Sequence, residues 1–305
     1  MVQGVDSEDW AGYGQSLGGT TAYEQAIARY DELLASQPDL YEIWAYRGLA
    51  LEHLGHLREA CANFEQALKV NPEFALAWHG QGVALARLHE YATALQCFQQ
   101  ATKLAPTDAN AWYNRGNAQI HLRQFEAALS SFGRVVELVP HDYKAWYHRG
   151  KVLFLLGHPY AALASLDKTV AIKPSCFYAW NLRGTILKKL DRLEEAIASF
   201  DCSLQMNPNN PDAWYHKARC YSLQAKTTEA LEYLYRAVKL KPLFYAAIAK
   251  VDPDLRALDP DQAFQTLIAA ATATHLAPPS PATHVRTLKS SGFLSEKSLF
   301  ATFNE

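Results

Sequence analysis

Apolar, aromatic and small residues return along this chain on two nested intervals. Over short stretches they recur at steps of three and four, which keeps side chains on one face of a helix. Over long stretches the same residue types recur every 34 positions. All seven tryptophans stand at 10, 44, 78, 112, 146, 180 and 214, and seven of the fourteen prolines at 38, 72, 106, 140, 174, 208 and 242. With Trp as position 4, the units are 7–40, 41–74, 75–108, 109–142, 143–176, 177–210 and 211–244. Position 8 is Gly in six units (Gly14, Gly48, Gly82, Gly116, Gly150, Gly184) and Ala218 in the seventh. Position 20 is always Ala, and position 24 is Tyr, Phe or Leu.

Positions 4, 8 and 11 share a face of one predicted helix, and positions 20, 24 and 27 share a face of a second. Small residues at 8 and 20 leave no bulk where the two backbones would approach, with Trp and the position 24 side chain filling the space on either side. Proline at 32 ends the second helix. One such pair cannot cover its own apolar surface, so seven must stack. The pattern therefore predicts an all-α chain of antiparallel helix pairs with buried indoles. Two irregularities mark weak points. Repeat 1 reads GYGQSLGGTT where its first helix should finish, and each interior glycine costs about 1 kcal/mol against Ala. At position 27, repeats 4 to 6 place Val135, Thr169 and Ser203 instead of Ala, so packing onto the next repeat is expected to shift.

The pattern W-x-x-x-G-x-x-L…A-x-x-x-F-x-x-A…P over residues 7–244 closely resembles the tetratricopeptide repeat family. The Arg-Gly form in Trp112-Tyr113-Asn114-Arg115-Gly116 is similar to repeats common in bacteria, cyanobacteria especially. The resemblance implies an α-solenoid, a right-handed superhelix of seven helix-turn-helix repeats whose first helices line a concave groove. It also implies a protein that binds segments of other proteins and is not an enzyme. Residues 1–6 form a lead. Residues 245–272 form a capping segment with helices near 243–250 and 260–272, since an open stack needs a last helix with one polar face. Residues 273–305 read as a disordered tail. The alternative for the tail is a docking motif, because Leu288, Phe293, Leu294, Leu299, Phe300 and Phe303 are more apolar than a linker requires.

Composition narrows the function classes. A hydrophobic content of 49% is ample for a core, and a net charge of -2 gives no global sign of nucleic acid or a membrane surface. The N-terminus has no signal-like segment, and the apolar stretch 267–277 is too short to span a bilayer. The five cysteines are scattered without a C-x-x-C, as expected of reduced thiols in a cytoplasmic protein. Gly12-Tyr13-Gly14 and Gly80-Gln81-Gly82 follow no strand, so a dinucleotide site is not expected. His53 and His56 lack two further ligands, and no cofactor is expected. Position 7 repeats a base: Arg47, Arg115, Arg149, Arg183 and Lys217. Two readings fit it: a stem covering apolar surface with its head in water, or a cation–π ladder onto the tryptophans.

With the Trp face buried, positions 2, 5, 6, 9, 12 and 13 of each first helix point the other way and become the groove lining. Repeats 1 and 2 place three acids there, whereas repeats 3 to 6 place Arg87, Lys144, Lys151, Lys188 and Lys189 there without an acid. The candidate peptide-binding residues are Arg87, Asn110, Tyr113, Asn114, Asn117, Lys144, Tyr147, His148, Lys151, Asn181, Lys188 and Lys189. Amides would hold main chain, tyrosines would pack, and an unpaired basic stripe would suit an acidic partner segment. The repeats that clamp the C-terminal carboxylate of heat-shock chaperones place Lys and Asn, then Asn, then Lys and Arg at set positions. Here the corresponding residues are His79, Val83, Asn114, Lys144 and His148, of which only Asn114 and Lys144 agree. The expectation is a scaffold whose groove over repeats 3 to 6 binds an acidic peptide, with neither nucleic acid nor membrane insertion. The alternative is an assembly factor for a larger, membrane-associated complex, acting through the convex face or the tail.

Overall fold

The computed structural model describes residues 20–273. The predicted first helix of repeat 1 with its glycines, and the tail with its docking alternative, lie outside the described residues. The described chain is helical throughout. It starts with α1 (Thr20–Ser36), the second helix of repeat 1. Six helix pairs follow: α2 (Tyr41–His53) with α3 (Leu57–Val70), α4 (Ala75–Arg87) with α5 (Tyr91–Leu104), and α6 (Ala109–His121) with α7 (Phe125–Leu138). The others are α8 (Tyr143–Leu155) with α9 (Pro159–Ile172), α10 (Phe177–Lys189) with α11 (Leu193–Met206), and α12 (Pro211–Leu223) with α13 (Thr227–Leu240). Each helix packs on its neighbours in sequence, so the pairs stack into a solenoid. Beyond them come α14 (Pro242–Ala249), a 3-10 turn (Pro253–Leu258) and α15 (Gln262–Ala273), which pack as a cap.

Inside each pair the glycine of position 8 faces the position 24 ring of the same repeat. A Cβ on Gly82, Gly116 or Gly184 would sit 2.6, 2.8 or 2.6 Å from Phe98, Phe132 or Phe200. Leu replaces the ring in repeats 5 and 7: at Gly150 the contact with Leu166 relaxes to 3.1 Å, and Ala218 is accommodated. The position 20 alanines from Ala60 to Ala230 are wholly buried, as are the aromatic rings of Phe64, Phe132 and Phe200. Val135, Thr169 and Ser203 are buried too; Thr169 donates to the Ser165 carbonyl and Ser203 accepts from Asn210.

The indoles depart from expectation. All six described tryptophans are half-buried rather than sealed between helices. Each donates its ring N–H to the carbonyl of the proline six residues earlier, at 2.8–3.0 Å: Trp44 to Pro38, Trp78 to Pro72, Trp112 to Pro106, Trp146 to Pro140, Trp180 to Pro174 and Trp214 to Pro208. The indole must stay at the rim to reach that carbonyl, so Trp and Pro share one period because they latch consecutive repeats. The inward place on the first helix goes to position 3, where Ala77, Ala111, Ala145, Ala179 and Ala213 are fully buried.

The position 7 bases form a second tie. Arg115, Arg149 and Arg183 lie 4.9, 5.5 and 5.8 Å from their own Trp rings. Their heads are not left in water: Arg149 donates to Ser165 at 2.6 Å, and Arg183 donates to Ser199 at 2.6 Å and to Asp167 of the preceding repeat at 2.8 Å. Both halves of the recurrent Trp-x-x-Arg-Gly signature are thereby used in holding the stack.

The link between the two helices of a pair is also uniform. Position 15 is left-handed in repeats 2 to 7, at Gly55, His89, Arg123, Gly157, Asp191 and Ala225. The next amide returns to the carbonyl five residues back, as His56 to Leu51 and Lys226 to Tyr221, both at 2.9 Å. This closes the helix end with backbone alone.

Candidate functional site

One side of the stack, the predicted groove, is built from α2, α4, α6, α8, α10 and α12, the first helices of successive repeats. Because these helices touch, positions 5, 6, 9 and 12 lie partly in the seams between them rather than open to the groove. Ala45, Gly80, Ile120, Leu182 and Ser222 are buried there. Of the predicted residues, Asn110 and Lys144 are exposed at position 2, and Arg87 and Lys189 at position 13. Tyr113, Asn114, Asn117, Tyr147, His148, Asn181 and Lys188 are half-buried, while Lys151 is only 3% exposed.

An aromatic row runs along the seams. The imidazole of position 6 stacks on the position 24 ring of the preceding repeat: His148 on Phe132 at 5.2 Å and His216 on Phe200 at 5.7 Å. Tyr113 and Tyr147 meet His148 edge-on, and Tyr147 meets Tyr178 at 4.7 Å. Burial, reinforced for His148 by Lys151 and Lys144 and for His216 mainly by Arg219, pushes both imidazoles down to about 3. His148 is therefore a neutral hydrogen-bonding group at pH 7, not a base that meets acids. Burial also lowers the Lys151 ammonium to about 8.

Polar satisfaction along this row is incomplete. Asn114 is in hydrogen-bonding contact with His79 at 2.9 Å. Asn117 Oδ1, His148 Nδ1 and Asn181 Oδ1 are buried and have no partner. They belong to three successive first helices, α6, α8 and α10. A buried polar atom left alone costs about 1–3 kcal/mol, so each of the three is expected to meet a partner group from outside the chain, water or ligand.

The basic stripe is less free than its spacing suggested. Arg87 pairs with Glu52 of the preceding repeat and also donates to its carbonyl at 2.8 Å. Lys188 pairs with Asp254 of the cap at 2.5 Å. Arg87 and Lys188 are thus matched by acids within the chain, one repeat away and beyond the array. Lys189 lies 5.2 Å from the Phe154 ring.

The cap supplies the clearest view of groove chemistry. Asp252 and Asp254 reach onto α12 and α10, where Tyr215 donates to Asp252 at 2.7 Å. Arg219 contacts Asp252 at 3.0 Å and Asp254 at 2.7 Å. Burial alone would raise the Asp254 carboxyl; the Lys188 hydrogen bond and the Arg219 charge hold it below its usual value. Sequence reasoning placed a capping segment here but did not connect its acids to positions 5, 9 and 12 of the last two repeats.

Other candidate chemistry is accounted for. His56 pairs with Glu59 and His53 stacks on Tyr23. Among the described residues no group of three His, Cys, Asp or Glu is placed to hold a metal ion, and no helix is long and apolar enough to cross a membrane. All five cysteines are unpaired, and burial raises the Cys97 thiol to about 11 and the Cys220 thiol to about 12.

Comparison with known proteins follows the same line. Models of the tetratricopeptide repeat match residues 14–61, 54–109 and 177–210, and also 97–130 and 202–232. A model of the protein prenyltransferase alpha subunit repeat matches 125–156. A search of curated proteins returns no match. Among solved structures, YrrB, described as a TPR protein with an unusual peptide-binding site, is similar at 26% identity and a TM-score of 0.55, over 62% of this chain and 98% of that one. The C-terminal part of a TPR repeat-containing protein from Cytophaga hutchinsonii aligns at 16% identity and a TM-score of 0.64, over 81% and 100%. PilF of Pseudomonas aeruginosa aligns at 17% and 0.59, over 70% and 97%. These last two show the fold alone.

Proposed function

The chain belongs to the tetratricopeptide repeat family, and from that premise we propose that its concave groove over α6, α8 and α10 holds an extended segment of another protein. One observation carries the reading: Asn117 Oδ1, His148 Nδ1 and Asn181 Oδ1 are unpartnered on three consecutive first helices. An extended main chain brings N–H donors at regular intervals, which is what the amide oxygens lack. Tyr113 and Tyr147 give the segment apolar area beside these atoms. Lys144, Lys151 and Lys189 bias the choice toward acidic segments, while Arg87 and Lys188 serve internal pairs. The description of YrrB as peptide-binding supports this class of partner. The protein acts by binding, without catalysis, and its unpaired thiols support a cytoplasmic setting.

The test is selection from a displayed random-peptide library on the full chain and on an Asn117→Leu, Asn181→Leu double variant. Peptides enriched on the parent should lose binding to the double variant while its helical signal is unchanged. Enrichment that survives the double variant would remove the groove from the account.

A further inference from the structure

Repeats 5 and 7 carry the same short arrangement on their first helices. Trp146-Tyr147-His148-Arg149-Gly150-Lys151 matches Trp214-Tyr215-His216-Lys217-Ala218-Arg219, with Tyr, His and a base at positions 5, 6 and 9 of each. The structure keeps the likeness. Both imidazoles stack on the Phe of the preceding repeat, and both meet the neighbouring Tyr ring, at 5.4 and 6.0 Å.

The two copies differ in what reaches them. In repeat 7 the chain's own Asp252-Pro253-Asp254 turn fills the arrangement: Tyr215 donates to Asp252, Arg219 binds both carboxylates, and His216 Nδ1 contacts Arg219 at 3.3 Å. In repeat 5, two repeats from the cap, His148 Nδ1 has no partner. Lys188, which adds a second base to the repeat 7 copy, is replaced at the corresponding position before repeat 5 by Ile120, fully buried. The repeat 5 copy therefore carries one base where the repeat 7 copy carries two, Arg219 and Lys188.

Resting on the peptide-binding reading above, we infer that Tyr147, His148 and Lys151 form a receptor for an aspartate of a partner's acidic segment, and that the cap's Asp252-Pro253-Asp254 turn is an internal likeness of that partner. Tyr147 Oη and Lys151 Nζ take the carboxylate as Tyr215 and Arg219 take Asp252. The imidazole of His148 meets the adjoining main chain. The partner is defined by chemistry: an extended or turn segment that presents an Asp, as the Asp252-Pro253-Asp254 turn presents Asp252 to Tyr215 and Arg219.

The probe is a synthetic peptide of residues Lys250–Gln262, which contains Asp-Pro-Asp twice, titrated into the full chain by calorimetry. Binding should fall by about tenfold or more when the peptide's aspartates are replaced by Asn, and by a similar factor with Lys151→Met. Tyr147→Phe, which leaves charge and packing in place, should weaken the peptide by a smaller factor and gives a second reading if Lys151→Met disturbs the fold. Equal binding of the Asp and Asn peptides, or no binding at all, would overturn the inference. Loss on Arg219→Met without loss on Lys151→Met would also overturn it, since the peptide would then be replacing the chain's own cap. The groove reading stands or falls separately: library peptides that depend on Asn117 and Asn181 but ignore aspartate would sink this inference and leave that one intact.

Discussion

Replacing Lys151 by Met keeps the length of the side chain and removes a buried ammonium. The residue is 3% exposed, and burial lowers its amine from 10.5 to about 8. Among the titratable groups that face it are His148 on α8, neutral at about 3, and His121 on α6, itself lowered by burial; Lys144 acts on the same His148. The folded state releases the proton near pH 8, while the unfolded chain holds it to about 10.5. Between those values unfolding takes up a proton, so the wild type gains stability as pH rises through this window. Below pH 8 the full cost applies, at most about 3.5 kcal/mol at roughly 1.4 kcal/mol per pH unit. Lys151→Met should therefore stabilise the free protein at pH 7, by up to that amount, and the advantage should shrink toward zero near pH 10.5. Urea unfolding followed by far-UV circular dichroism at pH 7 and pH 10 measures it. Taking the difference between variant and parent cancels the tyrosines and cysteines, which also titrate in alkali. A variant that is destabilised at pH 7, or a difference that does not change with pH, would refute the reasoning. The predicted result joins stability to function, since the side chain whose removal steadies the fold is the one on which the acidic partner depends.

Trp112→Phe removes the ring N–H that bonds Pro106 at 3.0 Å and should cost about 1 kcal/mol, read as a lower urea midpoint with helix content unchanged. Gly184→Ala would place a Cβ 2.6 Å from the Phe200 ring, whereas Gly150→Ala meets Leu166 at 3.1 Å. The first should cost about 1–3 kcal/mol and the second clearly less; equal midpoints would count against the pairing of small residue with ring. Ala225 holds a φ of 57°, so Ala225→Gly should raise stability by about 1 kcal/mol, and a loss in the same urea assay would contradict that strain.

The stack was legible because its causes repeat. Gly or Ala at position 8 and Ala at position 20 return in every unit, and the structure buries each described one where the spacing put it. The role of Trp was misjudged, since its partner is a carbonyl in the preceding repeat and no side-chain pattern shows a backbone acceptor. The shared step of Trp and Pro was the available clue. The left-handed residue of the inter-helix turn left no trace, because Gly, His, Arg, Asp and Ala all serve where main-chain bonds close the helix. At the groove the residue types were legible but their pairing was not. Arg87 could have been matched to Glu52, which sits one position earlier in the preceding repeat. Lys188 and Asp254 are 66 residues apart, and Asp254 belongs to a turn outside the period. What the repeat leaves over, the unpartnered Asn117 Oδ1, His148 Nδ1 and Asn181 Oδ1, became visible only once helix contacts showed which groove positions lie in the seams.

A crystal structure of the full chain with the Lys250–Gln262 peptide bears most directly on the groove reading. A carboxylate oxygen of the peptide should lie about 3 Å from both Tyr147 Oη and Lys151 Nζ, with its main chain running past Asn117 and Asn181. A peptide seated on the second helices, or displacing the cap beside Arg219, would contradict it.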